Sequence, residues 1–228
     1  MSDALSQFLH TTLSANEAAV FLLRPDQRSR LESMLPAFPP AEAEIRRAER
    51  IRDLRQRELH LTGQFCARGL IAETLRISGG AIPAEIPWVP DADGRPHCPL
   101  PDAPDINLSH TRDWLAVAVL RAGRVGVDLE CTRRRVPGPK VAERFFHPAE
   151  RQTLQADDPR TFFRIWTRKE AWTKAIGLGL ARGRVAETDT FALAQTGKWV
   201  FSEWQTADDL QLCAAAPVPA RLFLLQDP

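Results

Sequence analysis

The order of apolar and polar positions predicts alternating strands and helices, with no repeat of fixed period. AAVFLLR, from Ala18, is a short apolar run of strand length. Glu49 to Arg76 has the length and spacing of an amphipathic helix, with Ile51, Leu54, Leu61, Phe65 and Leu75 among its apolar positions, and Gly79-Gly80 stops it. The Pro-rich passage that follows forbids a long helix and favours extended segments and turns. Three strand candidates come next, DINLSH, WLAVAVL and RVGVDLE. Beyond Cys131 the pattern turns helical at KVAERFFHPAERQTL and RTFFRIWTRKEAWTKAIG, then returns to strands at KWVFSEW, LQLCAAA and ARLFLLQ. Helix followed by strands in each half predicts an α+β protein of two α/β subdomains of similar plan. Residues 1–122 would form the first and 123–228 the second, joined near 121–125, although the halves share no obvious identity.

Composition sets the class. The 228 residues, 44% of them hydrophobic, suffice for a substantial core. The net charge of +1 argues against a generic nucleic-acid binder. Only Lys140, Lys169, Lys174 and Lys198 are lysines, so the other cations are arginines, whose planar fork suits phosphate and carboxylate. Cys66, Cys98, Cys131 and Cys213 are scattered without C-x-x-C pairing, which points to a reduced, cytoplasmic setting. The N-terminal stretch lacks a basic n-region, and its longest apolar run, Ala18 to Leu23, is too short to span a membrane.

Candidate chemistry begins at GVDLE, Gly126 to Glu130. Side chains alternate along a strand, so Asp128 and Glu130 share one face while Val127 and Leu129 share the other. Two like charges side by side call for a Lys or Arg partner, water at a sheet edge, or a metal ion. A third carboxylate lies on the last long helix, where Trp166, Glu170 and Lys174 recur every four residues on one face. By itself that spacing describes an exposed Glu170–Lys174 pair, and Trp166 and Trp172 read as core.

The joint pattern is more specific. GVDLE, then FF, then Trp166, Lys169, Glu170, Ala171, Lys174, Ala175, Gly177, Gly179 and Leu180 closely resemble the 4′-phosphopantetheinyl transferases of the two-subdomain, surfactin-synthetase-activating type. Upstream, GRPHCPLPDAPDINLSHTRDWLAVAVL is similar to that family's G-K-P segment and N-x-S-H strand. The resemblance covers about residues 94 to 180 and implies two subdomains packed as a pseudo-dimer. It also implies transfer of the 4′-phosphopantetheine arm of coenzyme A to a serine of an acyl or peptidyl carrier protein, releasing 3′,5′-adenosine bisphosphate.

By the same resemblance Asp128, Glu130 and Glu170 would hold Mg²⁺, with Glu170 as general base and Glu130 as its competitor. Lys174 would reach the pyrophosphate, His110 a coenzyme A phosphate, and Ser109 would position the nucleotide. Arg95, where the family usually carries Lys, stands beside Pro96 and would contact the 3′-phosphate or ribose side. Arg50 and Arg57 would add phosphate contacts, or else form a solvated helix face. Phe145 and Phe146 would pack in the core or lie near the carrier dock. The run Arg133, Arg134 and Arg135 would steer an acidic, helical carrier, or form a soluble loop. The expected protein is a cytoplasmic monomer without nucleic-acid or membrane partners. The alternatives are a non-catalytic module for coenzyme A or carrier protein, and a Mg²⁺-dependent nuclease, whose Glu-x-Lys order is absent here.

Overall fold

A computed structural model describes residues 2–27, 32–35, 38, 41–77, 79, 85–135, 139–154, 158–182 and 185–225. The fold is α+β, with two sheets packed face to face and helices on both outer surfaces. The strands are β1 (Ala18–Leu23), β2 (Val89–Pro90), β3 (Pro96–His97), β4 (Asp105–Thr111), β5 (Trp114–Leu120), β6 (Gly126–Cys131), β7 (Val200–Gln205), β8 (Leu210–Ala216) and β9 (Ala220–Leu224). The first sheet runs β4-β5-β1-β9 and the second β6-β8-β7, while β2 and β3 form a small ribbon of their own. All neighbours are antiparallel except β1 and β9.

Ala18, Val20, Leu22, Ala116, Ala118 and Leu120 of the first sheet meet Val127, Leu129, Leu210, Leu212, Ala214 and Ala216 of the second in one core. The other face of the first sheet, with Ala19, Phe21, Leu23, Val117 and Val119, packs on helices α1 (Ser2–Ser14) and α3 (Leu54–Ile77). β1 and β5 are therefore covered on both faces, which is why their sequences are unbroken apolar runs without alternation. The strands of the second sheet, β6, β7 and β8, all follow residue 122, whereas the first sheet draws on both ends of the chain. β9 returns from the second half to pair with β1, so the first sheet takes its edge strand from the chain's end.

Helix boundaries follow caps more than periodicity. The helix predicted from Glu49 instead begins at Leu54, because Asp53 Oδ1 accepts the N–H groups of Arg55 and Gln56 and turns the chain there. Glu49 ends a separate helix, α2 (Glu42–Glu49). KVAERFFHPAERQTL likewise splits into α4 (Pro139–Phe145) and α5 (Pro148–Gln152), since Pro148 has no amide to continue a helix and His147 caps the second one. The long helix α6 (Pro159–Ile176) has Asp158 as its N-cap, Pro159 in its first turn, and Gly177 at φ 78° where it stops. No described helix is long and apolar enough to cross a membrane.

Two buried cations anchor α6. Lys169 is fully buried; its ammonium pairs with Glu150 of α5 at 2.7 Å and donates to the Val185 and Thr188 carbonyls. Burial lowers the Lys169 pKa, while Glu150 works against that shift. Arg168 lies between the rings of Phe191 and Phe201, 4.2 and 4.1 Å from their centroids. Its fork reaches Thr190 of α7 (Thr190–Gln195) and Glu203 of β7. An ammonium cannot reproduce that planar contact, so Arg168→Lys is expected to cost about 2 kcal/mol in urea denaturation. A loss below about 0.5 kcal/mol would show that the sandwich contributes no stability.

Candidate active site

β6 offers two faces. Val127 and Leu129 enter the core between the sheets, which sends Asp128 and Glu130 to the side covered by α6. The helix comes very close because position 126 is glycine. A Cβ there would overlap the Ala171 carbonyl oxygen and lie 2.6 Å from the Ala175 nitrogen. At this separation side chains about two turns apart on α6 reach across to the strand. Trp166 Nε1 donates to Glu130 Oε1 at 3.2 Å, and Lys174 Nζ donates to Asp128 Oδ1 at 2.7 Å. Glu170 lies between them in the helix sequence.

The Glu170–Lys174 pair that spacing alone suggested gives way to this crossing contact. All three ammonium protons of Lys174 are placed, on Asp128 Oδ1, Ser109 Oγ and the Val127 carbonyl. Trp166 also does more than fill the core. Its ring packs against Phe145, Phe146 and Phe162, while its N–H holds a carboxylate. Phe146 is buried in that cluster and Phe145 half-buried beside Arg144.

Burial and the charge of Asp128 raise the pKa of both Glu170 and Glu130. Glu170 is pushed to about 7, first by burial, then by the negative charge of Asp128, with Lys174 opposing and Glu130 adding to the rise. Burial and then Asp128 push Glu130 up as well, against Arg134, whose Nη1 donates to Glu130 Oε2 at 2.9 Å. Asp128 is 5% exposed, and its Oδ2 has no hydrogen-bond partner among the described residues. A buried, unpaired carboxylate oxygen is costly unless a cation completes it, so this donor set fits a divalent metal. Among the described residues no group of three or more His, Cys, Asp or Glu side chains stands as a ready-made metal cage.

The remaining candidates divide. Ser109 and His110 lie at the end of β4 beside Lys174, and the His110 pKa is lowered by burial and by Lys174, with Asp128 opposing. His60 of α3 is electrostatically coupled to His110 and to Arg47 of α2; the sequence reading missed both His60 and Arg47 because helix spacing does not reveal which cations face a neighbouring strand. Arg95 departs from its expected place at a nucleotide. It is buried, with a two-pronged pair to Asp105 and further bonds to the Val125 and Lys174 carbonyls, because a short acidic side chain on β4 captures its fork. Pro96 is exposed on β3 beside it. Arg57 is turned back on the Glu49 and Ile51 carbonyls, bracing the link between α2 and α3, while Arg50 is exposed at the end of α2. Arg133 and Arg134 pair with Asp209 and Glu130, so the run Arg133–Arg135 borders the carboxylates.

Comparison with known proteins finds similarity to one family. Residues 124–216 match the model of the 4′-phosphopantetheinyl transferase superfamily. The chain is 28% identical to the 4′-phosphopantetheinyl transferase HetI of Nostoc sp. over 179 residues, covering 75% of this chain and 73% of HetI. It is 36% identical over 108 residues to a 4′-phosphopantetheinyl transferase of Bacillus subtilis, covering 45% of this chain and 46% of that protein. Against the 4′-phosphopantetheinyl transferase psf-1 of Bacillus pumilus it is 33% identical over 141 residues, which cover 60% of this chain and 57% of psf-1. The matched stretch thus spans about half the length of the last two relatives.

Proposed function

We propose that this chain belongs to the 4′-phosphopantetheinyl transferase superfamily and transfers the 4′-phosphopantetheine arm of coenzyme A to a serine of an apo carrier protein. The observation that carries the reading is the close crossing of α6 over β6, which sets Glu170 among Asp128, Glu130 and Lys174. In the reaction the serine oxygen bonds to the β-phosphorus of the pyrophosphate, the bond to the nucleotide side breaks, and 3′,5′-adenosine bisphosphate leaves.

Glu170 takes the serine proton in this scheme, its pKa of about 7 suiting a group that must be ionised to accept a proton near neutral pH. Glu130 is the competing base, held in place by Trp166 and Arg134. His110 would receive a pyrophosphate oxygen, and Lys174, held on Asp128 and Ser109, would lend its positive charge to the pyrophosphate. Asp128, Glu130 and Glu170 would hold Mg²⁺, which supplies charge neutralisation on the pyrophosphate. That ion ordinarily takes few protein carboxylates together with substrate phosphate and water.

Residues 1–122 would supply nucleotide contacts, with His60 near both Arg47 and His110, and residues 123–228 the carboxylates. The exposed guanidinium groups of Arg133 and Arg134 suit an acidic, helical carrier approaching Glu130 and Glu170. Free cysteines accord with a cytoplasmic protein, and a site assembled within one chain with a monomer.

The test incubates the protein with coenzyme A, Mg²⁺ and an apo carrier, and weighs the carrier by intact mass spectrometry. The expected result is a gain of one phosphopantetheine that excess EDTA prevents. Coenzyme A binding without any mass gain would favour the binding-module alternative and overturn the catalytic reading.

A further inference from the structure

Ser109 lies on β4, the edge strand of the first sheet, where it adjoins β6, the edge strand of the second. Along β4, Asp105, Asn107 and Ser109 point the same way, and each accepts a backbone N–H of the β6 segment. Val125 donates to Asp105 Oδ2 at 2.7 Å, Val127 to Asn107 Oδ1 at 2.8 Å, and Leu129 to Ser109 Oγ at 3.2 Å. Side chains thus satisfy the amides of a strand edge that no backbone ladder reaches.

The third rung has a capacity the other two lack, because a hydroxyl also carries a proton. Ser109 donates it to Asp128 Oδ1 at 2.9 Å, and its second lone pair takes Lys174 Nζ at 3.0 Å. Its hydrogen-bonding capacity is then full. Oδ1 of Asp128 is doubly occupied, by Ser109 and Lys174, while the buried Oδ2 has no partner among the described residues.

The geometry points to Ser109 as the positioning residue that fixes the Asp128 carboxylate so that Oδ2 alone is offered to a divalent cation, favouring Mg²⁺ over Ca²⁺. This rests on the transferase reading of the site. Ca²⁺ readily takes both oxygens of a carboxylate within a loose shell of about 6–8 ligands, whereas Mg²⁺ demands tight octahedral geometry. Two-oxygen binding by Asp128 would have to break a hydroxyl bond and a charge-assisted ammonium bond on Oδ1. With Ser109 in place that mode is disfavoured; with the hydroxyl removed the carboxylate can rotate.

The experiment measures Mn²⁺ binding by EPR on the full chain with coenzyme A and no carrier, so that nothing turns over. Mg²⁺ and Ca²⁺ serve as competitors. Ser109→Ala is expected to shrink the preference for Mg²⁺ over Ca²⁺ by about tenfold, the low end of what outer contacts to a metal ligand contribute, and Ser109→Thr to retain it. Should the alanine protein unfold, Ser109→Cys, close in size and a poor donor, takes its place with the same expected shift. An unchanged ratio in Ser109→Ala, with the wild-type protein still binding Mn²⁺ and modifying the carrier, overturns the positioning role and leaves the transferase reading intact. The same loss in Ser109→Thr also overturns it, since size and not the hydroxyl would be responsible. A wild-type protein that neither binds Mn²⁺ nor modifies a carrier overturns both.

Discussion

Gly126→Ala removes activity and much of the stability with a single methyl group. The methyl would have to occupy the space of the Ala171 carbonyl and approach the Ala175 nitrogen, both in the backbone of α6, so no side-chain rotation relieves the clash. Either the helix lifts or the strand bends. Overpacking of this kind costs about 1–3 kcal/mol and more where backbone must move. The functional loss is larger, because Glu170 and Lys174 ride on the helix while Asp128 and Glu130 ride on the strand. A displacement of about 1 Å between reacting groups is worth about 100-fold in rate, and at least that loss in kcat/KM for the carrier is expected. Gly63→Ala on α3 is the control: its Cβ would meet the Leu108 side chain at 3.6 Å, an ordinary contact, and alanine is the better helix former. Gly126→Ala keeping more than about a tenth of wild-type kcat/KM would show that the site does not depend on the helix–strand separation.

That glycine also marks what the sequence could and could not reveal. Alternation along GVDLE correctly put Asp128 and Glu130 on one face, and helical spacing put Trp166, Glu170 and Lys174 on another. Neither pattern reports how far apart the two faces stand. Lys174 therefore read as a partner for Glu170 one turn away, when the closeness of the strand gives it to Asp128 instead. Arg95 was likewise assigned outward, to a nucleotide, and the bond from Ser109 to Asp128 went unread, because Asp105 and Asp128 come from other segments. Helix boundaries do carry local signals. Asp158, Pro159 and Gly177 bound α6 as cap and stop signals do. The start of α3 was misplaced because apolar spacing was weighed over the cap at Asp53. α1 was not anticipated; only the docking of Leu5, Leu9 and Leu13 on the sheet exposes its apolar face. The return of β9 to β1 is a pairing between chain segments far apart in sequence, to which no local period is sensitive.

Glu170→Gln carries two expected effects of opposite sign. Glutamine keeps the size of the side chain and cannot accept the serine proton, so transfer should fall by about 10²–10⁴-fold, the usual contribution of a general base. The metal-free fold should gain stability at and above neutral pH. A carboxyl whose pKa rises on folding, here from 4.5 to about 7, binds its proton more tightly in the native state. Its contribution is complete below the unfolded value and is lost as pH rises through the folded one. Melting temperatures of the chelator-treated wild-type protein should therefore decline between about pH 5 and pH 8, and the decline should be shallower in Glu170→Gln. Glu130 steepens the wild-type decline for the same reason, and it loses a negative neighbour when Glu170 is replaced. In saturating Mg²⁺ and coenzyme A the wild-type decline should flatten, since a bound cation answers the repulsion that burial imposes on these carboxylates. Parallel pH profiles for the two chelated proteins would mean that Glu170 is ionised without penalty, and the charge conflict would then have to lie in Asp128 and Glu130 alone. A variant that melted higher yet kept full transferase activity would remove Glu170 from the proton transfer and leave Glu130 as the base.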